Sequence, residues 1–229
     1  SLVESGADLI ELGFPFSDPM ADGPTIQLSS ERALAAGTTL RGVLDLVGRV
    51  RQHSNVPIVL MGYYNPVFTY GPAKFAHDAA AAGVDGLLLV DCPPEERDDL
   101  GPAMDETGVD GICLVAPTTT RDRVKEIARV ARGFVYYVSL KGITGAGQLD
   151  LPELSGPVQQ IREFSDLPVA VGFGIKNAES AGKAAAPADA VVIGSALVES
   201  LSKAKSVEDA CSLATAFVAP VRKSLDNVG

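Results

Sequence analysis

Glu11 and Asp22 are the side chains best placed by type and spacing to do chemistry. Glu11 lies in an apolar run, Leu9-Ile10-Glu11-Leu12, that reads as a short strand ending at Gly13. A carboxyl group held there in low dielectric has its pKa raised toward the range useful for proton transfer. Asp22 follows on a polar turn, Phe14-Pro15-Phe16-Ser17-Asp18-Pro19-Met20-Ala21-Asp22-Gly23-Pro24. One acid in an apolar setting and one in a polar setting can divide acid/base work from charge stabilisation. The pair also admits a plainer reading, with Glu11 in a buried ion pair and Asp22 as a turn former.

Glycines form the second set. Lys141-Gly142-Ile143-Thr144-Gly145-Ala146-Gly147, Gly172-Phe173-Gly174-Ile175 and Ile193-Gly194-Ser195-Ala196 each follow an apolar run. Glycine lets backbone N–H groups approach an anion without a Cβ in the way, and three such loops in consecutive units point to phosphate. Ser195 adds a hydroxyl donor. Tyr136 and Tyr137 are neighbours on one predicted strand, so alternation sends them to opposite faces. Asp91, before Cys92-Pro93-Pro94, reads either as a site residue or as the N-cap of a helix starting at Glu95. Tyr63, Tyr64, Asn65 and Phe68 are placed to line the mouth of an apolar pocket. His53 and His77 fall on predicted helices, so no Ser-His-Asp or Cys-His constellation is available. No His, Asp, Glu or Cys cluster has metal-ligand spacing, and no metal is expected.

These residues need a scaffold. Apolar runs bounded by Gly, Pro and Asp predict strands over 8–13, 57–64, 86–91, 111–116, 134–139, 169–173 and 190–194. Longer Ala-rich amphipathic segments predict helices over 39–53, 72–82, 95–107, 120–131, 151–164, 177–185 and 207–227. Alternating strands and helices predict a single α/β domain over 1–229, a TIM (β/α)8 barrel, with the chemistry-bearing residues at the strand C-terminal ends. A doubly wound open sheet is the rival, disfavoured because no strand is followed by Gly-x-Gly-x-x-Gly. Seven of eight strands are visible. Ser1 to Asp8 reads as the last turn of an amphipathic helix stopped at Gly6, so the first helix and strand, about 35–40 residues, are expected to precede it. A chain without them is expected to be unstable or inactive.

The formal net charge of −10 argues against a nucleic-acid surface. An anionic substrate must then be held locally. Cys92, Cys113 and Cys211 have no disulfide-framework spacing, and no long apolar run or signal peptide is present, so a cytoplasmic protein is expected, with no membrane partner.

The Pro-Phe-Ser-Asp-Pro of 15–19, the Ala-Asp-Gly-Pro-Thr-Ile-Gln of 21–27, Gly142-Ile143-Thr144-Gly145, Gly172-Phe173-Gly174-Ile175 and Gly194-Ser195-Ala196 closely resemble the tryptophan synthase alpha chain family, in order along the whole chain. The resemblance implies a lyase that cleaves indole-3-glycerol phosphate to indole and glyceraldehyde 3-phosphate. It implies Glu11 as the catalytic glutamate and Asp22 as the aspartate that contacts the indole nitrogen. It places Tyr136 as the site tyrosine, Ile26, Met61, Leu88 and Phe173 around the indole, and Thr144, Gly145, Gly174, Gly194 and Ser195 at the substrate's glycerol phosphate. Met61 matches imperfectly, and Gly147 stands where many members carry a larger residue. No cofactor is implied for this chain; pyridoxal phosphate belongs to the partner beta subunit of an alpha2beta2 heterotetramer, which the loop of Asp91 and Pro93 would meet. A stand-alone indole-forming lyase, or a weak subunit that chiefly activates its partner, would share these residues.

Overall fold

The computed structural model describes residues 1–138, 151–172 and 174–228. These form two compact units: an N-terminal unit of Asp8–Cys113 with Val130–Gly133, and a C-terminal unit of Leu114–Arg129 and Phe134–Gly229 with Ser1–Ala7.

In the N-terminal unit, β1 (Ile10–Gly13), β2 (Ile58–Gly62), β3 (Gly86–Leu89) and β4 (Asp110–Val115) pair in chain order, every pair parallel. Antiparallel hairpins need only a turn between strands, whereas parallel neighbours need crossovers. The crossovers here are α1 (Pro24–Ala35) with α2 (Leu40–Arg51), then α3 (Tyr64–Tyr70) with α4 (Pro72–Ala82), then α5 (Leu100–Thr107). Alternation divides the strand side chains between two faces. Ile58, Leu60, Leu87 and Leu89 join Val43, Leu44 and Val47 of α2, Phe75, Ala76 and Ala79 of α4, and Leu100 of α5 in one apolar core. Ile10 and Leu12 pack against its edge. The opposite face carries Glu11, Val59, Met61, Leu88 and Ile112, aligned by register.

Phe14, buried, also belongs to the helix-side core. A Cβ on Gly62 would come within 2.3 Å of its ring, so the glycine makes room for Phe14 and thereby fixes the direction in which the chain leaves β1.

In the C-terminal unit, β5 (Val135–Val138), β6 (Val169–Gly172) and β7 (Ala190–Val192) are again parallel and in chain order. The chain also carries α6 (Arg121–Val130), α7 (Leu151–Arg162), α8 (Ala178–Ala185), α9 (Ser195–Leu201) and α10 (Val207–Leu225). Small residues bring α8 against α10; a Cβ on Gly182 would lie 2.7 Å from the Ser224 hydroxyl. At the chain start, Gly6 N–H donates to the Val3 carbonyl at 3.0 Å and Ala7 N–H to that of Leu2 at 3.1 Å, the pairing of a helix C-terminal stop.

All seven predicted strands are present. The helix predicted over 95–107 is instead a 3-10 turn, Pro94–Glu96, followed by α5. Three helices were not anticipated, α1, α3 and α9. Helices α3 and α9 start almost at once after β2 and β7, whereas α1 starts after the loop 14–23, and α1 and α9 have no fully buried residue.

Candidate active site

Glu11 sits on β1 with Val59 directly opposite on β2, and the neighbouring row on the same face, two residues further along each strand, runs from Gly13 through Met61, Leu88 and Ile112. Among the described residues the Glu11 carboxyl group has no hydrogen bond or ion pair; burial raises its pKa to about 7. Both protonation states are therefore accessible near neutrality. Of the readings open for Glu11, the buried ion-pair member is excluded among the described residues.

Asp22 closes the loop that leaves β1. Its backbone N–H donates to the Pro19 carbonyl at 3.0 Å, and its own carbonyl accepts from the Gln27 side chain at 2.8 Å, fastening the loop to the start of α1. Ile26, half-buried, lies one helical turn further along α1. The Asp22 carboxylate accepts a hydrogen bond from the Tyr63 hydroxyl at 3.1 Å, and that same hydroxyl accepts from the Ala21 N–H at 2.9 Å. Burial raises the Asp22 pKa, and the Tyr63 hydrogen bond opposes the rise. Tyr63 is buried, with its ring 5.4 Å from that of Phe16. Burial first, and then the Asp22 and Asp91 charges, push its phenol up to about 12, so it stays protonated.

The Tyr63 contact with Asp22 is not foreseen by the sequence. The residue was placed at a pocket mouth, but nothing local in Gly62-Tyr63-Tyr64 announces a hydrogen bond to a loop some forty residues earlier. Asp91 also differs from expectation. It accepts the Tyr64 N–H at 2.7 Å and so caps α3, not the segment that follows it.

The C-terminal unit holds the other described candidates. Tyr136 on β5 lies over Gly172 of β6, where a Cβ would stand 2.2 Å from the phenol oxygen, so the ring occupies the space that the glycine leaves. Tyr137 points to the opposite face by alternation, as expected. Gly174 has φ +73°, a left-handed conformation that favours glycine. The loop beyond it is tied to α8 by a reciprocal cap: Ser180 N–H donates to the Asn177 side chain at 2.9 Å, and Asn177 N–H to the Ser180 hydroxyl at 3.1 Å. Gly194 is the N-cap of α9 and Ser195 its first residue, both exposed. First-turn N–H groups have no intrahelical acceptor and can face an anion. Thr144, Gly145 and Phe173 lie outside the described residues. Among the described residues no cluster of three or more His, Cys, Asp or Glu side chains could hold a metal.

A family model for the tryptophan synthase alpha chain matches residues 1–225. The chain belongs to the tryptophan synthase alpha chain family. A relative so named from Geobacter sulfurreducens is 55% identical over 226 residues, covering 99% of this chain and 85% of the relative. One from Dechloromonas aromatica is 53% identical over 229 residues, covering 100% of this chain and 85% of the relative. The crystal structure of tryptophan synthase subunit alpha from Legionella pneumophila superposes with a TM-score of 0.90 at 43% identity, over 99% of this chain and 84% of that one. The fold class is accordingly the α/β barrel of the tryptophan synthase alpha family. The family's reaction, a carbon–carbon lyase step of tryptophan biosynthesis, cleaves indole-3-glycerol phosphate to indole and glyceraldehyde 3-phosphate.

Proposed function

We propose that Glu11 is the acid/base and Asp22 the charge-stabilising carboxylate of that cleavage. The observation that supports this reading best is the Glu11 carboxyl, unpaired among the described residues and poised near pH 7 by apolar burial. Protonation at C3 of the indole makes an electrophilic indolenine. Removal of the proton from the C3′ hydroxyl then lets the C3–C3′ bond break, its electron pair returning to the ring as the aldehyde forms. A group with pKa near the working pH can serve both transfers. Positive character on the ring nitrogen calls for a fixed anion nearby, and Asp22 supplies one whose orientation is set before the reaction.

Ile26, Met61 and Leu88 are proposed to contact the indole, together with Phe173. Tyr136 completes the substrate-binding set with Thr144, Gly145, Gly174, Gly194 and Ser195, the glycines and Ser195 holding the phosphate and so positioning the glycerol chain. Residues 1–229 are proposed to act as one catalytic domain. We further propose that the chain needs no metal or organic cofactor of its own and works in the cytoplasm with a tryptophan synthase beta subunit as an alpha2beta2 assembly. No helix of the described residues is long and apolar enough to cross a membrane.

The test is cleavage of indole-3-glycerol phosphate by Glu11→Gln and Asp22→Asn. The amide at 11 keeps the volume but cannot exchange a proton, so turnover should fall by at least about 100-fold, the scale of one acid/base group. Asp22→Asn removes the charge and should be severely impaired. Near-normal turnover in either variant overturns that residue's role.

A further inference from the structure

We propose that Tyr63 is a positioning residue for the cleavage reaction, clamping one oxygen of Asp22 to the β1–α1 loop so that the other is presented to the substrate's ring N–H. The inference rests on the proposed role of Asp22. Its geometry is a two-bond bridge through one hydroxyl: Tyr63 donates to Asp22 Oδ2 at 3.1 Å while accepting from the Ala21 N–H at 2.9 Å. Among the described residues Oδ1 accepts no hydrogen bond and Asp22 has no ion pair. The carboxylate is thus held by one contact and left open on its other oxygen.

Three features make this a clamp rather than a chance contact. Tyr63 is 3% exposed and comes from β2's end, so its backbone is fixed by the sheet while the loop is not. Its ring packs on Phe16 of that same loop, so the loop is gripped at two points. The hydroxyl also has its full complement, one donated and one accepted bond, so it cannot swing away without leaving a buried polar group unpaired. The charged group facing Tyr63 besides Asp22 is Asp91, beyond β3, which strengthens the phenol's hold on its proton. Asp18, on the loop, is bonded to Ser17 at 2.5 Å.

The experiment compares the unmodified chain, Tyr63→Phe, Asp22→Asn and the double variant in the cleavage assay, with kcat, KM and the pH profile of kcat recorded for each. Phenylalanine keeps the ring against Phe16 and removes only the hydroxyl. We expect kcat to fall by about 10- to 100-fold, the worth of one hydrogen bond to a charged group, with a much smaller change in KM. Without the donor the Asp22 carboxylate is less stabilised, its pKa rises, and the acid limb of the profile moves to higher pH. A purely structural tyrosine would not move that limb. In the Asp22→Asn background the same change should cost little more, because Tyr63 acts through Asp22. Unchanged kcat with an unmoved acid limb, or full multiplication of the two losses in the double variant, overturns the inference while leaving Asp22 in place. Full activity of Asp22→Asn overturns the underlying role of Asp22, and the clamp with it.

Discussion

Burying Glu11 on the sheet face it shares with Val59, Met61, Leu88 and Ile112 makes the group useful near neutrality and costs the fold stability, and both effects are measurable. Its pKa is about 7 in the folded chain against 4.5 as the ordinary value. Below pH 4.5 the carboxyl is protonated in both folded and unfolded chains and imposes no cost. Between pH 4.5 and 7 only the unfolded chain loses the proton, so stability falls as pH rises, and it levels off above the folded-state pKa. Glu11→Gln cannot ionise. It should therefore match the parent chain in thermal denaturation near pH 4.5 and exceed it near pH 8, by up to about 3 kcal/mol. A variant that is dead in the assay yet more stable above neutrality would be the signature of a carboxylate kept for chemistry. Equal stability at both pH values would show that Glu11 is solvated.

At the scale of elements, a single device recurs. Asp85, just before β3, accepts the first N–H of β2, that of Ile58, at 2.7 Å, and pairs with Arg51 at the end of α2. Asp189, just before β7, accepts the first N–H of β6, that of Val169, at 2.8 Å, and pairs with Arg162 at the end of α7 at 2.9 Å. Each aspartate ties a strand start to the helix that precedes it. The Val169 N–H, more than Arg162, holds the Asp189 pKa below its ordinary 3.8. Asp189→Ala should accordingly lower the urea midpoint by an amount equivalent to about 1–2 kcal/mol at pH 7, most of it from the orphaned Val169 N–H. Because the folded pKa is depressed, the difference should shrink as the pH falls through it, below 3.8. The seven strands were legible because each is a short apolar run between breakers. What stayed hidden has a physical cause. Helices α1 and α9 bury no residue fully, so they carry no clear apolar periodicity, and α1 opens at Pro24 inside a Gly/Pro-rich loop. The 95–107 helix broke between its 3-10 turn and α5, where Arg97 turns inward to approach the carbonyls of Cys92 and Ile112. Glu11 and Asp22, the pair proposed for the chemistry, stand out by residue type and setting. Tyr63 does not, because its partner is distant in sequence and a tyrosine after a strand reads equally well as packing.

At the scale of the whole molecule, the net charge of −10 sets how an anionic substrate must be met. A phosphate ester carrying nearly two negative charges approaches a chain of its own sign, so long-range attraction is not what brings it in. The proposed binding groups at Gly174, Gly194 and Ser195 are backbone N–H groups and a hydroxyl, short-range donors that act only on contact. Added salt then has one main electrostatic effect, screening the repulsion as the Debye length shrinks from about 30 Å at 0.01 M to about 8 Å at 0.15 M. We expect kcat/KM for indole-3-glycerol phosphate to stay level or rise, by less than about threefold, over that range of sodium chloride. Phosphate held by a cluster of lysines and arginines would behave oppositely, with affinity falling steadily as those charges were screened. A steep loss of kcat/KM across the titration, with kcat constant, would move the phosphate site from the glycine loops to a basic patch. Competitive inhibition by inorganic phosphate, abolished by a bulky side chain at Gly174, would hold it where the loops place it.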